Sequence, residues 1–264
     1  MPEPVDPAIL ADEAVVARAV AEVSAAGGFF AFDIGPVDRE WLPLADLYPD
    51  PGVLAARIAT VARRLGTDDT RVAASIMFQG LAARLWSPPI AAALVHDLLI
   101  DLSPARVYWR AVESGPLPMR AESLAAWEVG DPAGAAEPLY RMVATDLLEP
   151  IAETMRGMVK LAPGLLWGNA ASTVAEAVRA VGRRHPELLA KAAALGGALL
   201  ETGFLKGSGE LIEGAPGHLF FVRRSCCLYY RLPTGSKCGD CALVRPQERH
   251  DIWARAVREF EGVS

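Results

Sequence analysis

The chain of 264 residues has no cysteine before position 226, and all four that it carries, Cys226, Cys227, Cys238 and Cys241, fall within sixteen consecutive positions. It also lacks a long apolar run. Hydrophobic residues make up 52% of the chain and mean hydropathy is +0.23, but the excess is alanine. Arg63, Arg64, Arg84, Pro88, Pro89, His96 and Asp97 interrupt the most apolar stretches, short of the roughly 20 apolar residues that a spanning helix needs. No membrane span is expected. The opening MPEPVDPAILADE carries neither the basic region nor the hydrophobic run of a secretory leader, so a cytoplasmic location is expected. Positive charge is the scarcer sign, with 26 Lys and Arg against 32 Asp and Glu and a net charge of -6. That balance argues against the concentrated basic surface that phosphate backbones require, and no nucleic-acid partner is expected. Finally, Gly27-Gly28 and Gly207-Ser208-Gly209 lack the spacing and the strand-to-helix setting of a dinucleotide fingerprint. Direct hydride uptake from NAD(P)H is therefore not expected.

What is present is mostly helical periodicity. Apolar residues recur at helical spacing from Ala8 to about Ala26, and Gly27-Gly28 closes the run. Asp50 and Pro51 mark the start of a second helix ending at Gly66, and a third begins at Thr67 or Asp68 and reaches Trp86. Pro88-Pro89 is read as a break before a fourth helix, IAAALVHDLLI. GFFAFDIG at 28–35 reads as a strand, and 106–112 and 123–129 as the arms of a hairpin. A loop is expected at 131–134, then helix from Pro138 with a kink or split at Pro150. Pro163-Gly164 reads as a break, Ser172 or Thr173 as the cap of the next helix, and His185-Pro186 as the divide before another. Glycines between Lys206 and Gly217 suggest irregular structure, and Pro246 to Phe260 a closing helix. The expectation is an α+β fold, predominantly α-helical, with a small β segment.

The four cysteines sit badly with disulfides in a reducing compartment, and their crowding points to metal. Cys238-Gly239-Asp240-Cys241 is a loop chelate that suits zinc and iron alike. Cys226-Cys227 is the less usual half, because adjacent side chains diverge in extended backbone and grip one ion awkwardly. A two-iron cluster eases that constraint, since neighbouring thiolates can serve different irons. His218 and His250 flank the motif, but four thiols already complete a ligand set. Arg223, Arg224, Arg231 and Lys237 bring positive charge that would stabilise an anionic cluster and attract an anionic substrate. Trp167, Tyr229, Tyr230 and Trp253 are read first as core, and Phe29, Phe30 and Phe32 as packing residues.

Two adjacent cysteines, ten residues and a Cys-x-x-Cys resemble the C-terminal signature of the FhuF-type ferric siderophore reductases. Leu166-Trp167-Gly168-Asn169 followed by Ala171-Ser172 is similar to that family's tryptophan-glycine-asparagine element. The resemblance implies a 2Fe-2S cluster on all four cysteines and one-electron reduction of an imported ferric siderophore, with Arg223, Arg224, Arg231 and Lys237 as candidate substrate contacts. With no nucleotide fingerprint in the chain, a separate ferredoxin or flavoprotein donor is expected. The division expected is a helix-rich body, 1–205, that offers the substrate platform, and a C-terminal cluster module, 206–264. Two other readings stand beside it: a ferredoxin-like electron carrier, and a zinc-stabilised binding protein without redox chemistry.

Overall fold

A computed structural model describes residues 10–131, 133–260 and 262. The expected helix start at Ala8 and Ile9, and Pro132 of the expected loop, lie outside them. Helix α1 spans Glu13–Ser24, its N-terminus capped by the Asp12 carboxylate accepting from Ala14 N–H at 2.9 Å. Helix α2, Pro51–Leu65, has the expected Asp50 cap, Pro at the first turn, and Gly66 as a left-handed C-cap. GFFAFDIG is not one strand. Gly27 and Gly28 take positive φ and start a 3-10 turn at Gly28–Phe30, leaving only β1, Asp33–Ile34, extended.

Helix α3 runs unbroken over Thr70–Val95, capped by Asp69, with Pro88 and Pro89 inside it. The expected break is absent. Each interior proline costs roughly 3 kcal/mol. Phe78, Leu85, Trp86, Ile90 and Leu94 are fully buried along this helix, and at about 1.5–3 kcal/mol apiece their burial outweighs that cost. The helix stops at His96 because Asp97 takes a left-handed φ of 55°. Leu98–Ile100 is therefore not helix but strand β3.

The expected hairpin partners do not pair with each other. β4 (Val107–Trp109) lies between β5 (Met119–Ala121) and β2 (Leu42–Pro43), antiparallel to both, and β1 joins β5 in parallel. β6 (Ala126–Glu128) pairs instead with β3. Short turns thus return each strand to a neighbour that periodicity alone does not name.

Helix α4 (Ala136–Tyr140) passes through a π-helical stretch, Arg141–Leu148, into α5 (Glu149–Met158), so Pro150 falls in the first turn of α5, where its missing N–H is tolerated. Helix α6 covers Pro163–Arg184: Pro163 opens it rather than breaking it, and Ser172 and Thr173 are mid-helix. Thr173 has no capping role, since its hydroxyl donates back to Ala170 O at 2.7 Å. After a 3-10 turn at Pro186–Leu188 comes α7, Leu189–Leu200. The glycine-rich stretch is not irregular: β7 (Gly209–Ala215) and β8 (His218–Arg223) form an antiparallel ribbon with a register shift between Glu213 and Ala215. The ribbon packs on α6 and α7, with Phe221 in the main core. Helix α8, Pro246–Phe260, closes the chain, its Trp253 stacked on Phe220 at 4.6 Å. Helices α2, α3 and α6 form the central stack.

Candidate metal centre

Strand β8 delivers the chain to the first cysteine pair. Arg223 ends the strand, and its N–H donates to Asp240 O at 3.0 Å, which ties the two halves of the cysteine motif together. Leu228 takes a left-handed φ of 68°, reversing the chain after Cys226-Cys227. The same reversal aims Leu228 N–H at Cys226 Sγ, 3.3 Å away. The second half repeats the device: Cys241 N–H donates to Cys238 O at 3.0 Å, and Leu243 N–H to Cys241 Sγ at 3.4 Å. Backbone donors therefore already point at two sulfurs.

Hydrogen bonding couples Cys226 with Cys241 and Cys227 with Cys238, and none of the four forms a disulfide. Among the described residues no three His, Cys, Asp or Glu side chains gather around a single ion position. Two thiols per metal is the ligand count of a two-iron cluster. In the thiol form the Cys238 S–H donates to Cys227, which lowers the pKa of Cys227, with help from Tyr229 N–H and Arg223, and raises that of Cys238. Burial raises Cys226. Cys227 and Cys241 are buried, Cys226 is half-buried and Cys238 exposed, so one edge of the site is open.

Around the sulfurs lies a buried polar network that the helical body supplies. Arg223 is 2% exposed. Its Nη2 donates to Asn169 Oδ1 on α6, while Nε and Nη1 have no hydrogen-bond partner. Asn169 Nδ2 in turn donates to Ser75 O at 2.9 Å and Oγ at 3.0 Å on α3, and Ser75 Oγ donates to Cys227 O at 2.7 Å. A buried cation with two idle nitrogens, close enough to stabilise the Cys227 and Cys238 thiolates, fits an anionic cluster. Beside Asn169, a Cβ on Gly168 would stand 2.0 Å from Ser225 Oγ, so glycine lets the cysteine loop settle onto α6. Trp167 stacks on Phe204 at 4.6 Å. Asp240 accepts from Arg179 Nη1 at 2.9 Å and Ser172 Oγ at 3.3 Å; burial raises its pKa and Arg179 opposes the rise. The tryptophan-glycine-asparagine element is thus the seat of the cysteine loop.

The four basic residues read from the sequence part company. Arg223 is internal, whereas Arg224 and Lys237 are exposed and Arg231 is paired with Asp69 at 3.1 Å. Tyr229 and Tyr230 are exposed, and Trp253 is packed. Of the three phenylalanines only Phe32 is fully buried; Phe29 is 41% exposed and, with Phe30, borders a cleft. That cleft, about 750 Å³, runs between α2, α3 and α6 and reaches Cys227, Tyr229 and Cys238. Its walls include Arg57, Arg64 and Gly80, which the sequence reading passed over. The available signal was a glycine in mid-helix and two arginines seven residues apart on one helical face.

Residues 223–243 match the family model of the FhuF 2Fe-2S C-terminal domain. The match spans all four cysteines and indicates a 2Fe-2S cluster as cofactor. No curated protein matches the chain. Among the described residues no helix is long and apolar enough to cross a membrane.

Proposed function

We propose that the chain is a ferric siderophore reductase of the cytoplasm, in which Cys226, Cys227, Cys238 and Cys241 hold the cluster and a bound ferric chelate receives one electron. The observation that carries this reading is the cysteine motif, its two halves tied together by Arg223 N–H on Asp240 O, with the buried, under-bonded Arg223 side chain beside it. When bound, a 2Fe-2S group held by the four cysteines would supply one-electron chemistry, with a separate ferredoxin or flavoprotein as the source of the electron and the chelate's Fe(III), reduced to Fe(II), as its acceptor. Arg223 places a positive charge where the site becomes more negative, which favours the reduced state. Ser75, Gly168 and Asn169 fix the cysteine loop on the helical body. The exposed Cys238 keeps one edge within reach of the chelate, and no acid or base is required for electron transfer. Arg224 and Lys237 are exposed on the cysteine segment and Arg231 is paired with Asp69, so the first two supply the free positive charge that draws in an anionic chelate or an acidic donor. Oxygen ligands hold the product Fe(II) less tightly than Fe(III), so reduction frees the iron.

The cleft beside Cys227 and Cys238 favours a reductase over a simple electron carrier, because a carrier needs no substrate chamber. The test is visible absorption and electron paramagnetic resonance of anaerobically purified protein before and after dithionite, followed by mixing with ferric hydroxamates and catecholates. A reduced paramagnetic cluster reoxidised by one chelate class, with Fe(II) released, is the expected result. Colourless protein with stoichiometric zinc refutes it; a cluster that no ferric chelate reoxidises leaves the electron-carrier reading instead.

A further inference from the structure

Gly80 lies in the interior of α3, where glycine is an unfavourable choice on entropic grounds. Close packing does not explain it: a Cβ there meets nothing within 4 Å. Gly168 and Gly196 differ in this respect, since a Cβ at either would strike a neighbouring side chain. Gly80 instead borders the cleft that Cys227 and Cys238 also line. Ser75, whose hydroxyl holds Cys227 O, precedes Gly80 by five residues, about 7.5 Å of helix. Further along, Arg84 donates to Leu117 O at 2.7 Å and Phe29 O at 2.8 Å and so fixes the distal wall. The volume of about 750 Å³ lies in the range of small-molecule sites.

The charge in the cleft is one-sided. Its acids, Glu176 and Asp240, are already matched: Glu176 with Arg179 at 3.4 Å and Arg183 at 2.8 Å, Asp240 with Arg179 at 2.9 Å. Arg57 and Arg64 share one face of α2 and have no comparable partner. Arg57 donates to Val112 O and is 9% exposed, and Arg64 is exposed, with no acidic partner among the described residues. Burial and the neighbouring Arg64 lower the pKa of Arg57, although Glu113 partly offsets them. A guanidinium pair without acidic partners in a mostly apolar cleft is suited to bidentate binding of anionic oxygens.

Resting on the reductase reading above, we propose that this cleft seats an anionic ferric chelate, with Arg57 and Arg64 binding its carboxylate or catecholate oxygens and its iron lying toward Cys227 and Cys238. A cationic hydroxamate chelate is disfavoured by the same two arginines. The glycine at position 80 leaves the room that the ligand fills.

The experiment uses gallium(III) chelates, which carry the charge of their ferric counterparts without being reduced, titrated calorimetrically into oxidised holoprotein. The probes are an anionic tricatecholate, an anionic carboxylate–hydroxamate and a cationic trihydroxamate. One or both anionic complexes are expected to bind, and which one does names the ligand group. Arg64→Gln is expected to weaken that binding roughly tenfold or more, the loss of one charge-assisted contact. Gly80→Phe is expected to abolish it and Gly80→Ala to preserve it, with the cluster's visible spectrum unchanged in all three variants. Preference for the cationic complex, or full affinity in Gly80→Phe, overturns the proposal. If reduced protein passes electrons to ferric chelates while the Gly80→Phe and Arg64→Gln variants bind and react as wild type, the cleft assignment falls and the reductase survives. If gallium binding follows the variants but no ferric counterpart is reduced, the reductase reading falls and the cleft remains a chelate site.

Discussion

Replacing Asn169 by leucine tests whether Arg223 is held inside the protein by a single side chain. Asn169 is fully buried and makes three hydrogen bonds: it accepts from Arg223 and donates twice to Ser75. Leucine keeps the volume and removes all three, and Arg223, 2% exposed with Nε and Nη1 already idle, loses its side-chain partner. Stranding a buried charge in this way costs about 3–5 kcal/mol. For a chain of this size each kcal/mol lowers the melting midpoint by roughly 2–4 °C, so a fall of about 6–20 °C is expected. The decisive arm is Asn169→Leu/Arg223→Met. If the stranded charge is the cause, the double variant is more stable than the sum of the single losses implies, with a coupling of roughly 2 kcal/mol. Anaerobic thermal melts of cluster-containing protein, with iron counted per chain, provide the assay. Strict additivity, or an Asn169→Leu variant as stable as wild type, would refute the account of this network.

Other expectations follow from the same geometry. Gly168→Val brings a branched side chain against Ser225 and is expected to lower iron per chain sharply, whereas Ser225→Ala, which deletes a buried hydroxyl that has no partner, leaves it unchanged. Serine at any of the four cysteines is expected to reduce or abolish the visible cluster absorption; a variant that keeps full absorption is not a ligand. Gly80→Ala adds a methyl where nothing stands within 4 Å and is expected to stabilise the fold by about 0.5–1 kcal/mol, read as a raised melting midpoint. His96 has its pKa lowered below 6.5 by burial, against the opposing pull of Glu22 and Asp97. The unfolded chain therefore binds the proton more readily, and stability from this group, present above pH 6.5, declines as pH falls through its folded value. His96→Gln should flatten the stability profile below pH 6.5, and an unchanged acid slope excludes His96 as its source.

Helices with capping chemistry on both flanks were legible from the sequence. Asp50, Pro51 and Gly66 define α2 without tertiary information. Prolines were the weak point, because their effect depends on burial. Pro88 and Pro89 look like a break until their turn is seen inside the core, and Pro163 begins a helix rather than interrupting one. Strand partners were unreadable for a related reason: β3, β4, β5 and β6 have three residues each, too few to carry a period, and pairing is decided by the helices they pack against. The cysteines were legible because spacing along the chain is itself the signal. Arg223 was misleading: next to the solvent-facing Arg224, it turns inward because Asn169, 54 positions earlier, receives it.

Helices α3 and α6 serve two purposes at once, and that explains why a small metal motif is carried on so large a body. Ser75 and Asn169 hold the first cysteine pair, while the next turns of the same helices, at Met77, Gly80, Thr173 and Glu176, wall the cleft. A shift of α3 against α6 therefore moves the cysteine loop and the chamber together. In the proposed reaction that rigidity keeps the distance from cluster edge to bound iron fixed by helix packing and not by the loop. A cavity cut in the core face of α6 tests this. Val174→Ala on α6 removes a side chain that is fully buried, with an expected cost near 1–3 kcal/mol. If packing sets the distance, this variant slows electron transfer to the ferric chelate while iron per chain and gallium-chelate affinity stay at wild-type levels. An unchanged transfer rate in a protein that has lost that much stability would assign the positioning to the loop alone.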